Sequence, residues 1–328
     1  MEIKFLKAGS GDSILIQEGG HNILIDGGND CKYLLQQVEK IYIKREKIDL
    51  LIVTHHDDDH IKGIIDLLSL EKYHQNFILK VIFNSPRKYL GILPKAYDSR
   101  LLSYKQAYEL EKILIDLKVS WETATENTES LKFGDLKLNF LAPKEIDLEK
   151  YALNKDAKLL SNYGSDWKTE LKEIENYLDD SSQDKSTANS TSIVILLTYK
   201  KLHYLLTGDI TPNRLEEIIN NLYIKNRSKP LKFEIIKLPH HGSYRSLNKK
   251  ILEKIDCENY VISTNSSKHS LPNKKALMKV IKFSYNKEPK NFFFNYIEAL
   301  NNLNITAQNM IEYKFTLISN NEDYGYRF

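Results

Sequence analysis

The stretch "LIVTHHDDDH", Leu51 to His60, sets six consecutive imidazole and carboxylate side chains directly behind the apolar run "DLLIVT". The length of that run and its branched residues predict a buried strand. Imidazoles and carboxylates at the end of a buried strand are costly to keep dry unless they pair with one another or hold a cation. The same problem recurs at three other predicted strand ends: "LIDGG" at Asp26, "LLTGD" at Asp209 and "KLPHHGS" at His240 and His241. Six of the nine histidines, His55, His56, His60, His240, His241 and His269, lie in these two clusters or just after the second.

A di-metal centre accounts for all of them. His55 and Asp57 can face one ion and Asp59 and His60 the other, with Asp209 bridging both. Such a centre lowers the pKa of bound water from about 15.7 to about 7, which is hydrolytic machinery. Taken singly, each piece has a plainer explanation: "HHDDDH" as a solvated acidic turn, Asp209 as a turn residue, "HHGS" as a Ser-capped helix start. Their common placement behind strands argues against that combination.

The composition sets the frame. A chain of 328 residues can bury a substantial core, as one large domain or two ordinary ones. The 41% hydrophobic and 28% charged fractions are those of a soluble globular protein. No apolar run approaches the roughly 18 to 20 residues of a membrane helix, and "MEIKFLKAGS" lacks the charged start and apolar core of a signal peptide. The expectation is a cytoplasmic location with no membrane partner. Cys31 and Cys257 are the only cysteines, which excludes a disulfide framework and a thiolate zinc finger, so nitrogen and oxygen must hold any metal. The net charge of +3 is unevenly laid out: residues 225–290 hold 16 Lys/Arg against 5 Asp/Glu, and the rest of the chain 31 against 39.

Along the chain, "IKFLKA", "SILIQE" and "NILIDGG" read as strands, followed by a helix from about Asp30 to Lys44. After "DLLIVT" come a helical pattern in "IKGIIDLLSL", a strand in "LKVIFNS", a helix from Ser103 to Lys118 and a strand in "LKLNFLAP". Residues 144–188 are polar and charged, with too few apolar residues for a core of their own, and read as an insertion in a single domain spanning 1–328. Strands resume in "TSIVILLTYK" and "KLHYLLTGD", a predicted hairpin around Lys200 and Lys201, then in "FEIIKLPHHGS", "NYVISTN" and "IEYKFTLIS". Helices are predicted at about 212–222, 247–255 and 273–282. Strand-rich halves separated by helices predict two sheets covered by helices.

Taken in order, "LIDGG", "THHDDDH", "NSTSIVI", "LLTGDI" and "LPHHGS" resemble the metallo-β-lactamase-fold hydrolases. Within them the sequence is most similar to the hydrolase domain of ComEC-type competence proteins and its stand-alone relatives. The resemblance implies an αββα fold, two β-sheets sandwiched between helices, over most of the chain. It implies that Asp26 braces the metal loop and that His55, Asp57, Asp59 and His60 match the H-x-H-x-D-H ligands, with Asp57 in place of the second His. Asp59 would also serve catalysis.

His56 falls on a variable position, as a residue behind the ligands or facing substrate. Asn189 stands where many members supply a further His to the first metal, which leaves that site poor in ligands and makes manganese as plausible as zinc. Asp209 matches the bridging Asp. Either His240 or His241 matches the last His ligand; spacing does not decide, and His240 is preferred because it ends the strand. His269, in "SSKHSLPN", resembles a catalytic or substrate-contacting His near the end of the domain, and an ordinary helix-entry His fits as well.

The leading expectation is a phosphodiesterase or nuclease with two divalent ions, Zn or Mn, acting on nucleic acid or a nucleotide. Lys249, Lys250, Lys274 and Lys275 of the basic segment are expected beside the substrate. Its rivals are a lactone, thioester or β-lactam hydrolase of the same fold, and a degenerate binding or regulatory module without turnover. A protein partner that supplies targeting is a further expectation.

Overall fold

The computed structural model describes residues 1–73, 76–85, 102–153, 164–179 and 182–328. β1 (Glu2–Leu6), β2 (Ile14–Glu18) and β3 (His21–Ile25) form an antiparallel meander, extended in parallel by β4 (Leu50–Val53), β5 (Val81–Phe83) and β6 (Trp121–Glu122). The second half supplies β7 (Leu131–Phe133), β8 (Leu136–Ala142), β9 (Val194–Tyr199), β10 (Leu202–Leu206), β11 (Leu231–Lys232), β12 (Ile235–Lys237), β13 (Ile255–Asp256), β14 (Asn259–Ile262), β15 (Lys290–Phe294) and β16 (Phe315–Ile318). β11 and β13 pair with each other, and the other eight form one sheet in the order β16-β15-β14-β12-β10-β9-β8-β7. β17 (Gly325–Arg327) then returns to the first sheet, antiparallel to β1, giving the order β17-β1-β2-β3-β4-β5-β6.

Side-chain alternation builds the layers. In β4, Leu50 and Ile52 join the core between the sheets, with Ile23 and Ile25 of β3 and Ile195 and Leu206 across from them. Leu51 and Val53 point the other way, against helices α1 (Lys32–Ile43), α2 (Asp58–Leu68) and α3 (Leu102–Asp116). β4 is buried on both faces, so its sequence is continuously apolar and its polar residues appear only after it ends.

The helices α4 (Glu145–Leu153) and α6 (Thr187–Ser190) contact each other, with Tyr151 of α4 stacked on His56, while α5 (Leu171–Glu175), α7 (Pro212–Lys225), α8 (Lys249–Leu252), α9 (Lys274–Phe283), α10 (Ile297–Asn302) and α11 (Ala307–Tyr313) line the far side of the second sheet. Leu215 and Ile219 of α7 and Leu277 and Val280 of α9 fill that outer core. The result is the expected αββα sandwich. Among the described residues no helix is long and apolar enough to cross a membrane.

Three details differ from the expected elements. "IEYKFTLIS" divides: Ile311 to Tyr313 close α11, which a Thr306/Asn309 capping box opens and a left-handed Lys314 ends, and the strand begins only at Phe315. The strands β6, β7, β11, β13, β15 and β17 were not anticipated. The insertion, where it is described, packs onto the common core through Leu171, Ile174 and Leu178. It is also fastened to α9, whose first two backbone N–H groups donate to the Asp166 carboxylate at 3.0 and 2.9 Å, while the Trp167 indole donates to the Pro272 carbonyl at 2.7 Å.

Candidate metal centre

Asp26 ends β3 in the left-handed region, with φ 58°, and is completely buried. Its carboxylate accepts from the Thr54 N–H (2.7 Å), the Thr54 hydroxyl (2.6 Å) and the His60 Nδ1–H (2.8 Å), so the end of β3 fixes the exit of β4. Burial pushes the Asp26 carboxyl up, against the pull of His60 and Thr54. Gly27 and Gly63 are glycines for want of room: a Cβ on Gly63 would lie 2.1 Å from the Gly27 carbonyl oxygen, so α2 packs backbone to backbone on the turn after β3. Asp57 stands at the N-cap of α2 yet makes no capping bond; its carboxylate lies 3.8 Å from His55 Nε2 instead. Burial, with Asp59 and Asp209 nearby, raises the Asp57 carboxyl to about 6.

Four imidazoles share one orientation. The Thr54 hydroxyl is committed to Asp26, so at 3.2 Å His55 Nδ1–H donates to the Thr54 oxygen. His60 Nδ1 donates to Asp26, His241 Nδ1 to the Ser263 carbonyl at 2.9 Å, and His240 Nδ1 lies 3.2 Å from an Asp184 carboxylate oxygen. Every Nε2 is thereby turned toward Asp209, at 3.9 Å for His55, 3.4 Å for His60, 3.8 Å for His240 and 3.3 Å for His241. His240 and His241 reach it from two directions because both hold left-handed backbones, φ 48° and 54°, ahead of Gly242. Two such residues in succession are strained and persist only where their surroundings demand it.

Burial opposes charge on His241, but Asp209 outweighs it and holds the imidazole up at about 9. Burial likewise opposes charge on Asp209, while His241, His60 and His240 hold its carboxyl well below the usual range.

The site fits a cation. His55 Nε2, His60 Nε2, His241 Nε2 and Asp209 Oδ1 are buried without a hydrogen-bond partner. Each such group costs about 1–3 kcal/mol if left unsatisfied. The ligand atoms of His55, His60 and Asp209 lie within 4.8 Å of one another, as do those of Asp59, His60 and His241, and those of Asp12, Asp209 and His241.

Of the expected residues, His55, Asp57, Asp59, His60 and Asp209 converge here. His241, left by the sequence as the alternative to His240, stands with Asp59 and His60, 3.8 Å from Asp59 Oδ2. His240 lies toward the other end with Asn189, whose amide nitrogen is 3.3 Å from its Nδ1. The choice between His240 and His241 is not forced, since the paired left-handed turn brings both rings toward Asp209. His56 does not face substrate. It is buried, bonded through Nε2 to the Asn84 carbonyl at 2.6 Å, stacked on Tyr151 and edge-on to Phe83. His269 is exposed on the loop between β14 and α9, close enough to Asp59, His240 and His241 to feel their charges.

The lysines divide. Lys249 and Lys250 are exposed, near Glu253 and Glu216. Lys274 and Lys275 are buried, which corrects their expected contact with substrate: the Lys274 ammonium donates to the Thr169 carbonyl at 2.9 Å, and that of Lys275 lies over the Tyr177 and Tyr244 rings. Both hold the insertion.

Three residues escaped the sequence. Asp12 in "GSGDS" sits 3.6 Å from His241 Nδ1 and pairs at 2.5 Å with Lys237, whose ammonium is itself 3.8 Å from Asp209. The glycine before it was the signal: a Cβ on Gly11 would collide with the Asp59 carbonyl, so this turn is pressed against the metal loop. A lone lysine in the apolar run before "LPHHGS" was a second signal. Asp184 gave none.

Residues 6–115 match the family model of the metallo-beta-lactamase superfamily. Over 297 residues, 84% of this chain, the sequence is 21% identical to ComE operon protein 3 of Bacillus subtilis (strain 168), of whose length it spans 30%. Among solved structures, the chain is similar to Zn(2+)-bound PqqB from Methylobacterium extorquens, with 12% identity, a TM-score of 0.46 and coverage of 100% of this chain and 99% of that one. It is also similar to a diphosphatase of the PhnP family, with 13% identity, a TM-score of 0.44 and coverage of 100% and 96%.

Proposed function

We propose that this chain is a metal-dependent phosphodiesterase acting on nucleic acid or a nucleotide, a reading that the match of residues 6–115 to the metallo-beta-lactamase superfamily model supports. The observation that carries the proposal is the convergence of four imidazole Nε2 atoms on the buried Asp209 carboxylate, at 3.3 to 3.9 Å. His55, Asp57 and His240 would hold one divalent ion, Asp59, His60 and His241 the other, with Asp209 between them. When bound, two such ions activate water near neutral pH and stabilise both the attacking and the leaving oxygen of a displacement at phosphorus.

The chain's own residues prepare for this. Asp26 keeps the His60 Nδ1 proton in place, Thr54 does the same for His55, and the Ser263 carbonyl for His241. Asp12 and Lys237 lie behind Asp209 as a buried ion pair. In this reading His269, exposed on the loop between β14 and α9, would meet a substrate oxygen. Four imidazoles make the set richer in nitrogen than the sequence implied, which favours zinc over manganese.

The charge layout supports a short phosphodiester better than a long polymer track. Of the 16 Lys/Arg in residues 225–290, Lys237, Lys274, Lys275, Lys279 and Lys290 are buried. A polymer would rely on exposed groups such as Lys249 and Lys250.

The test is a panel of bis-p-nitrophenyl phosphate, single- and double-stranded DNA and RNA, and a lactone, each with Zn²⁺ or Mn²⁺, beside metal analysis of protein purified without chelator. Phosphodiester cleavage that His60→Ala abolishes supports the proposal; lactone turnover alone overturns it. On a polymer, Lys249→Ala and Lys250→Ala should each flatten the slope of log affinity against log salt by about 0.7–0.9 for every phosphate the variant no longer neutralises.

A further inference from the structure

Three of the four inward-turned imidazoles are set by partners in the sandwich itself: Thr54 for His55, Asp26 for His60 and the Ser263 carbonyl for His241. The fourth partner comes from the insertion. We propose that Asp184 is a positioning residue that holds His240 as the Nδ1–H tautomer and so presents Nε2 to the metal centre, an inference that rests on the ligand role given to His240.

Asp184 is 3% exposed, and both of its carboxylate oxygens are engaged. Oδ1 accepts from the Ser186 N–H at 2.9 Å. Oδ2 receives two donors, the Asn189 side-chain amide at 2.7 Å and His240 Nδ1 at 3.2 Å. The amide cannot accept the imidazole proton through its nitrogen, so its 3.3 Å approach to His240 Nδ1 is a shared convergence on the carboxylate and not a bond between the two. Asp184 is therefore the one acceptor among these three groups, and it decides which ring nitrogen carries hydrogen.

The carboxylate is itself anchored to the turn that follows "HHGS". The Asp184 N–H donates to the Arg245 carbonyl at 3.1 Å, and the Arg245 guanidinium donates back to the Gln183 carbonyl at 2.7 Å. This reciprocal clamp ties the exit of the insertion to the turn just after the histidine it orients. A ligand imidazole needs such a partner to fix its tautomer and raise its basicity, and loss of the partner typically costs about 10- to 100-fold in metal affinity.

Asp184→Asn keeps the size and removes the anionic acceptor. In a zinc titration against a chromophoric chelator, one of two sites should weaken by about 10- to 100-fold while the other keeps its affinity. That weakened site should be the one that His240→Ala removes, and adding Asp184→Asn to His240→Ala should change nothing further. Because Asp184 is a buried acceptor, the metal-free variant should melt somewhat lower; a folding defect alone would weaken both sites alike, whereas a positioning role weakens one.

A second readout needs no metal. Long-range ¹H–¹⁵N spectra of the metal-free protein at alkaline pH, assigned with His240→Ala, should show His240 as the Nδ1–H tautomer, and Asp184→Asn should shift it toward Nε2–H. A protein that binds no metal yet shows this shift would sink the proposed function and leave the positioning intact. An unchanged tautomer, equal weakening of both sites, or effects that add to those of His240→Ala would overturn the inference.

Discussion

Asp26 carries three short hydrogen bonds and touches two segments, which makes it the single side chain on which the metal loop most depends. Asp26→Asn preserves volume but turns an amide donor toward groups that are themselves donors. The expected loss is about 2–3 kcal/mol, read from urea unfolding of the metal-free protein. In parallel, metal affinity on the Asp59 and His60 side should fall by about 10- to 100-fold. Unchanged affinity would mean that His60 needs no help in holding its tautomer. His56 should behave in the opposite way: His56→Ala removes a ring packed between Phe83 and Tyr151 and a bond to the Asn84 carbonyl, so stability should drop by about 2–3 kcal/mol. Its metal content by elemental analysis should match that of the natural protein. Loss of metal equal to that of His60→Ala would return His56 to the ligand set.

Helix α2 sits where it does because two glycines let its backbone approach the turn after β3. The Gly27 N–H donates to the His60 carbonyl and the Gly63 N–H to the Gly28 carbonyl, each at 2.8 Å. In an exposed helix, replacing Gly by Ala stabilises by about 1 kcal/mol. At Gly63 the sign should reverse, since the added methyl meets the Gly27 carbonyl at 2.1 Å and the helix must shift with His60 at its first turn. Gly63→Ala is expected to destabilise by about 1–3 kcal/mol and to weaken metal binding as well. A stabilised variant with full metal content would show that the helix can move without carrying its ligands away.

At the scale of the molecule, the proposed ligands come from both sheets: His55, Asp57, Asp59 and His60 follow β4, while Asp209 follows β10 and His240 and His241 follow β12. Metal should therefore clamp the sandwich. A site filled at about 100 times its Kd adds roughly 2.7 kcal/mol, so a chelator should lower the melting temperature by several degrees. Identical melting curves with and without chelator would count against any metal. Release should be stepwise. The Asp57 and His240 side chains keep 40% and 23% of their surface open, against 14% for Asp59 and 3% for His241, so the wetter set should empty first. Cobalt substitution followed during dialysis would show one spectral change preceding the other; a single concerted loss would contradict this order.

The layered fold and most of the site were legible in the sequence, because both depend on local pattern. Continuous apolar runs such as "ILI" and "LLIV" mark strands whose two faces are both covered, and candidate ligand residues gather at strand ends, where the apolar pattern must stop. Composition, in contrast, misplaced two lysines of the basic segment. A lysine in a run of charges looks solvated, and only packing shows that Lys274 and Lys275 are buried under the insertion. Tertiary structure also divided His240 from His241, since two left-handed residues turn neighbouring side chains in ways that no spacing encodes. Asp12 and Asp184 belong to the site solely because distant segments, one in the first turn and one in the insertion, fold back onto it. Proximity across the chain is a property of the closed sandwich, and a carboxylate gains its role there from the imidazole it meets.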